Sequence, residues 1–149
     1  MRFLIQCVDE ASVQVDGNVT GAIEKGFLVL IGISDTDDTQ IADRMIKKML
    51  GLRIFEDENH KTNLSLSDVE GSLLLVSQFT LYANCKKGNR PSFVWAGKPE
   101  HANQLYEYII EQTRQSVSNV QTGIFGADTK VSLVNDGPFS IMLVYKELF

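Results

Sequence analysis

The sequence lacks the features of membrane, secreted and zinc-binding proteins. No apolar run approaches the roughly 20 residues of a membrane span, and the N-terminus, MRFLIQCVDEASVQV, has no long apolar segment or small-residue cleavage site. The two cysteines, Cys7 and Cys85, are far apart and form no CxxC pair, which argues against a disulfide framework or zinc site. We therefore expect a cytoplasmic protein.

Conventional catalytic and cofactor-binding motifs are also missing. There is no P-loop, no GxGxxG and no GxSxG, so we expect no nucleotide cofactor and no serine-hydrolase elbow. His60 lies in a polar loop and His101 in the first turn of a predicted helix, where an isolated histidine is usually a solvated polar residue. The acids Asp35, Asp37 and Asp38 lack the pattern of a calcium loop and indicate helix capping. We expect no metal.

Positive charge is scarce overall but concentrated in one segment. The net charge of −5 argues against a general nucleic-acid binder. Residues 84–98, NCKKGNRPSFVWAGK, nevertheless contain four basic residues and no acidic one. This segment is either a solvated loop or a patch that contacts a phosphate backbone.

What is present indicates one α+β domain spanning residues 1–149. A hydrophobic fraction of 44% and a charged fraction of 22% are ordinary for a globular protein. Helices are predicted over about 39–52 and 99–117. Strands are predicted over 2–8, 11–15, 19–23, 27–33, 72–82, 129–134 and 139–145, with a hairpin at Asp16-Gly17-Asn18. RIFEDENHKTNLSL, residues 53–66, is predicted to be a short strand followed by a polar loop. We expect antiparallel sheets layered with two main helices.

Two apolar runs contain residues that a buried strand normally excludes. In LLLVSQFTLY, residues 73–82, the polar Ser77, Gln78 and Thr80 need hydrogen-bonding partners if buried. They bind a neighbouring loop or line a pocket at a strand end. In SLVNDGPFSIML, residues 132–143, Gly137-Pro138 interrupts the apolar pattern, and a hairpin turn is the most direct interpretation.

Six motifs in order resemble the D-aminoacyl-tRNA deacylase family. SQFTLY (77–82) is similar to its first signature and NDGPFS (135–140) to its second. GLRIFEDE (51–58), NLSLSDV (63–69), GNRPSF (88–93) and TGIFGAD (122–128) also match. The resemblance covers essentially the whole chain.

The resemblance implies a homodimeric hydrolase, free of metal and cofactor, that cleaves the ester between a D-amino acid and the 3′ end of tRNA. It implies a cis Gly137-Pro138 bond that reaches into the partner subunit's pocket and excludes an L side chain. Asn135 and Phe125 are the further substrate-binding residues that the resemblance implies.

By the same resemblance, a ribose hydroxyl of the tRNA helps to activate water, which explains the missing catalytic base. The segment formed by Ser77, Gln78, Phe79 and Thr80 then orients the ester and polarises its carbonyl, with Thr80 nearest the substrate. Three basic residues are the expected tRNA contacts: Lys86, Lys87 and Arg90.

Three positions depart from the family pattern. Ser140 stands where threonine is usual, Thr129 where methionine is usual, and Cys7 where the family has an arginine associated with holding the Gly-Pro loop. Two other functions stay open. One is a non-enzymatic RNA-binding dimer that kept the fold. The other is a thiol or serine hydrolase that would use Cys85 or Ser77.

Overall fold

The computed structural model describes all 149 residues as one α+β domain built on a six-stranded mixed sheet. None of its helices is long and apolar enough to cross a membrane. In chain order the elements are β1 (Arg2–Val15), β2 (Asn18–Ile23), β3 (Gly26–Gly32), α1 (Thr39–Gly51), β4 (Arg53–Glu56), β5 (Thr62–Ser65), β6 (Ser72–Ser77), a 3₁₀ helix (Phe79–Tyr82), α2 (Pro99–Arg114), β7 (Val120–Thr122), β8 (Thr129–Val144) and α3 (Tyr145–Leu148).

The long first strand organises the sheet. Its first half pairs with β3 and its second half with β2, while β8 pairs along nearly its whole length. Ala11, for example, is paired with Ile23 on one side and Leu133 on the other. β4 and β5 form a separate two-stranded sheet. The β1–β2 connection is the predicted hairpin, with Asp16 and Gly17 both at positive φ.

The prediction of purely antiparallel sheets is wrong for the centre of the molecule. β3 pairs with β6 in parallel, and β6 pairs with β7 in parallel. Parallel neighbours need crossover connections, and here α1 with the small sheet joins the first pair while α2 joins the second. The carboxyl ends of three strands therefore meet at one edge of the sheet.

Both predicted helices form, with buried stripes facing the sheet. α1 starts after Asp38, whose carboxylate accepts the Ile41 N–H at 2.9 Å. α2 starts at Pro99 as predicted but ends at Arg114 rather than near residue 117. Its six predicted inward residues are all buried: Ala102, Leu105, Tyr106, Ile109, Ile110 and Thr113. With β3 covered on both faces, the helices close a core of 24 buried residues.

The structure departs from the predicted strands in several places. Residues 2–15 form the single strand β1, and β5 lies where a polar loop was expected. The strand expected over 72–82 ends at Ser77, and Phe79–Tyr82 forms the 3₁₀ helix. The segments expected as separate strands around NDGP belong to one strand, β8, and its two halves pair with the same strand, β1. Ser140 faces Gln6 and Asn135 faces Val8, so residues 136–139 form a bulge rather than a hairpin turn.

Candidate functional site

A cavity of about 830 Å³ opens where the three parallel strands end. Its walls are the ends of β3 and β6, the segment that leads into α2, the loop after β7 and the start of β8. The residues that line it include Ser77, Gln78, Phe79, Phe93, Lys98, Phe125 and Ala127. This edge is where ligands usually bind in sheets with parallel strands, because the loops there converge.

Ser77 and Gln78, at the end of β6, form one wall of the cavity. Ser77 is in register with Ile31 of β3, and the Gln78 N–H donates to the Ile31 carbonyl at 2.8 Å. The chain then turns into the 3₁₀ helix, and the Gln78 side-chain amide donates to the Thr80 hydroxyl. Thr80 itself is exposed and does not line the cavity.

Phe79 lies at the mouth of the cavity. Its side chain is 54% exposed, and its ring meets Phe93 edge-on with 5.1 Å between centroids. An aromatic pair that is half in water beside a cavity offers apolar surface to a ligand. The two rings therefore mark the entrance.

Arg2, at the start of β1, holds the 3₁₀ helix against the sheet. This role was not predicted from the sequence pattern. Its guanidinium donates to the Leu81 carbonyl at 2.6 Å and lies 4.5 Å from the centroid of the Tyr82 ring. Burial raises the pKa of Tyr82 to about 12, so the ring stays neutral. A side chain at Gly32 would approach Leu81 Cβ to 2.9 Å, so the helix sits directly on the sheet. The sequence feature that could have indicated this role is the positive charge of Arg2 at the start of a buried strand.

The inner wall of the cavity is tied to α2. The Tyr106 hydroxyl donates to the Leu75 carbonyl at 2.7 Å, and its ring lies 6.1 Å from that of Phe125. Burial raises the pKa of Tyr106 far above its ordinary value. The neutral hydroxyl therefore anchors helix, strand and Phe125 together.

The NDGP bulge is closed by its own side chains. The Asn135 side chain accepts the Phe139 N–H at 3.0 Å and donates to the Ser140 hydroxyl at 2.8 Å. Gly137 has φ +127°, a conformation that disfavours any L side chain, and the Gly137-Pro138 peptide is cis. Asn135, Gly137 and Pro138 do not line the cavity of their own chain.

Cys7 lies across from this bulge, between the β1 residues that pair with Ser140 and Asn135. Its thiol is buried, with the sulfur 3.9 Å from the Ile54 carbonyl oxygen. Burial, and secondarily the charge of Asp136, raises the pKa of Cys7 to about 11. A neutral buried thiol offers the bulge no charged hydrogen bond, so Asn135 makes the polar contacts there.

The basic residues form a separate loop beside the mouth. Asn84 and Ser92 exchange two backbone hydrogen bonds of 2.7 and 2.9 Å, which closes residues 85–91 into an exposed loop. Lys86, Lys87 and Arg90 lie in this loop and do not line the cavity, whereas Lys98 does.

No histidine or cysteine lines the cavity. His60 is solvent-exposed, 3.5 Å from a Glu56 oxygen, and the His101 ring contacts the Asp37 carbonyl at 2.9 Å. Cys85 is exposed in the basic loop. No group of three or more His, Cys, Asp or Glu side chains is placed to hold a metal ion.

Comparison with known proteins gives a consistent result. A family model described as D-Tyr-tRNA(Tyr) deacylase matches residues 4–144. The chain is 52% identical over 149 residues to a D-aminoacyl-tRNA deacylase of Clostridium novyi (strain NT), covering all of both chains. It is 56% identical over 143 residues to one of Geotalea uraniireducens (strain Rf4), covering 96% of this chain and 92% of that protein.

Two solved structures share the fold. One, a c-Myc DNA unwinding element binding protein, is 40% identical with a TM-score of 0.91, covering 97% of this chain and 98% of the other. The second, described as a probable eukaryotic D-amino acid tRNA deacylase, is 18% identical with a TM-score of 0.79, covering 95% and 97%. The second likeness concerns the fold alone.

Proposed function

This chain belongs to the D-Tyr-tRNA(Tyr) deacylase family, and we propose that it hydrolyses the ester of D-aminoacyl-tRNA in the cytoplasm. The products are the free amino acid and tRNA, and glycyl-tRNA is a second substrate. One observation beside the family carries the proposal: the cavity has a polar wall of Ser77 and Gln78 and no histidine or cysteine, and its one carboxylate, that of Asp35, accepts the Lys98 backbone N–H at 2.8 Å. Such a cavity suits a substrate that brings its own proton acceptor.

In the proposed reaction the substrate helps to activate water, and the protein orients the ester and polarises its carbonyl. A ribose hydroxyl next to the ester helps to activate water, which adds to the carbonyl carbon. The bond to the ribose oxygen then breaks, and that oxygen takes up a proton. Phe79 and Thr80 begin the 3₁₀ helix, and the first N–H groups of a helix lack intrahelical acceptors. These groups polarise the ester carbonyl, with Ser77 and Gln78 orienting the substrate.

Selectivity against L-aminoacyl esters is assigned to the bulge acting between subunits. Gly137 and Pro138 are exposed and lie outside their own cavity, as expected for a segment that enters the cavity of a partner. β8 also exposes apolar residues that association of two copies would bury: Val131, Leu133, Val134 and Met142. We therefore propose a homodimer in which each bulge, held by Asn135, blocks the space for an L side chain.

Binding of tRNA is assigned to the basic loop. Lys86, Lys87 and Arg90 are exposed beside the mouth of the cavity, where they can neutralise phosphates near the acceptor end. Replacing all three with alanine should weaken tRNA binding and flatten its dependence on salt, because fewer counterions are released.

The test is a comparison of D-tyrosyl, L-tyrosyl and glycyl esters of tRNA as substrates of the purified protein. We expect release of D-tyrosine and glycine but not of L-tyrosine. His60→Ala and His101→Ala are control variants that should keep the parent's turnover, because neither imidazole lines the cavity. A loss beyond about a hundredfold in either would point to a histidine base and contradict the scheme.

A second candidate, nucleic-acid binding without catalysis, is favoured by one relative. The 40% identical structure is that of a c-Myc DNA unwinding element binding protein. Under this alternative the purified protein binds tRNA but leaves all three esters intact, so the same assay separates the two functions.

A further inference from the structure

The only tryptophan of the chain stands exposed beside the mouth of the cavity. Trp95 is 45% exposed and lies in a turn closed by a hydrogen bond of 3.0 Å from the Ala96 N–H to the Phe93 carbonyl. Phe93, Val94 and Ala96 line the cavity, whereas Trp95 does not. The indole therefore lies next to the entrance, outside the space that the ester would occupy.

Lys86 brings a positive charge to Trp95. The Lys86 ammonium is 5.9 Å from the centroid of the indole ring, and the pairing of Asn84 with Ser92 brings the basic loop to this turn. No acidic residue occurs between positions 84 and 98. An exposed aromatic ring beside a lysine of the basic loop fits a ligand with flat rings and a negative backbone.

We propose that Trp95 stacks on an unpaired base of the tRNA 3′ end, next to the terminal nucleoside whose ester enters the cavity. The inference rests on the proposed function and extends it to the adjoining nucleotides. The Lys86 ammonium, which lies over the indole ring in the free protein, contacts the phosphate that follows the stacked base. Such stacking requires single-stranded RNA, because only an unpaired base can leave its helix to lie on a side chain.

The kinetic test compares two substrates that differ only in the RNA beyond the terminal nucleoside. For Trp95→Ala we expect KM for D-tyrosyl-tRNA to rise about tenfold to a hundredfold with kcat nearly unchanged, because a base–aromatic stack is lost. Kinetics on D-tyrosyl-adenosine should match the parent. Trp95→Phe should lose less, and Val19→Ala, at an exposed apolar site on β2, should change nothing. An unchanged KM for the tRNA ester, or an equal rise for both substrates, would overturn the inference.

A second measurement does not depend on catalysis. Since Trp95 is the sole tryptophan, its fluorescence reports this site alone. Titration with a short single-stranded RNA ending in CCA should quench it, and the same RNA paired to a full complement should quench it much less. Equal quenching by both, or none by either, contradicts base stacking. If the parent hydrolyses no ester, the proposed function fails while this titration still decides whether Trp95 binds single-stranded RNA.

Discussion

At the scale of single residues, Asn135 closes the base of the bulge with two hydrogen bonds, to the Phe139 N–H and the Ser140 hydroxyl. Asn135→Ala should lower the free energy of unfolding by about 0.5–1.5 kcal/mol, since it removes two hydrogen bonds at a partly exposed site. It should also reduce the preference for D over L esters. Ser140→Thr is the matched control, because it keeps the hydroxyl. Urea unfolding and paired deacylation rates measure both effects; an unchanged preference would limit Asn135 to a role in stability.

The two cysteines should differ sharply in reactivity. Cys85 is exposed, whereas burial holds the pKa of Cys7 at about 11, so little Cys7 thiolate exists near pH 8. We expect a small thiol reagent to modify Cys85 in the native protein and Cys7 only after unfolding, as peptide mass spectrometry would show. Full modification of Cys85 should leave kcat unchanged; loss of kcat would revive the thiol-hydrolase alternative.

The raised pKa of Cys7 makes the protein less stable as pH rises above the ordinary thiol pKa. The pKa of Cys7 is raised in the folded state, so the unfolded chain ionises first. The contribution of Cys7 to stability is therefore complete below the ordinary thiol pKa and is lost as pH rises toward about 11.

At the scale of elements, Arg2 links the first strand to the 3₁₀ helix that carries Thr80. Arg2→Ala should lower kcat for D-tyrosyl-tRNA about tenfold or more, because a small displacement of the helix misplaces the carbonyl-polarising amides. KM should change less. Arg44→Ala is the matched control, since Arg44 lies 5.3 Å from the Phe149 ring and lines no part of the cavity. Lower stability with unchanged kcat would show that Arg2 acts on the fold alone.

The sequence predicted elements best where the signal was local. Both helices were found because capping at Asp38, Pro99 and the spacing of buried residues all lie within one segment. The residue at which β6 ends could not be predicted from such a local pattern. Apolar residues continue through Leu81 and Tyr82, and only the contacts with Arg2 and Gly32 show that these side chains pack as a 3₁₀ helix on the sheet.

Strand pairing was the part that the sequence could not supply. Neighbouring strands run parallel here because α1 and α2 connect one end of the sheet to the other. No short sequence pattern encodes such a connection. For the same reason NDGP looked like a hairpin, although both halves of β8 pair with β1. Of the residues expected at the site, Ser77, Gln78, Phe79 and Phe125 line the cavity, whereas Thr80, Asn135, Gly137 and Pro138 do not. The parallel strand ends that surround the cavity were not expected.

At the scale of the whole molecule, the proposed dimer makes each site from two chains, and this can be tested with two complementary variants. Gly137→Ala should disturb the bulge, because Gly137 has φ +127° and an added Cβ would lie 3.0 Å from the Phe139 nitrogen. Alone it should cleave both D and L esters. Ala127→Trp places a large ring on the cavity wall and alone should be inactive.

A heterodimer of the two variants, isolated through different affinity tags, contains one undisturbed combination: the cavity of the Gly137→Ala subunit and the bulge of the Ala127→Trp subunit. If the bulge acts on its partner, this site is intact, and the heterodimer should reject the L ester like the parent with about half the parent's activity per dimer. If the bulge acts within its own chain, the open cavity of the Gly137→Ala subunit receives only that subunit's disturbed bulge. The heterodimer should then cleave both esters. Size-exclusion chromatography of the parent supplies the control, because a monomeric parent would contradict the arrangement before any rate is measured.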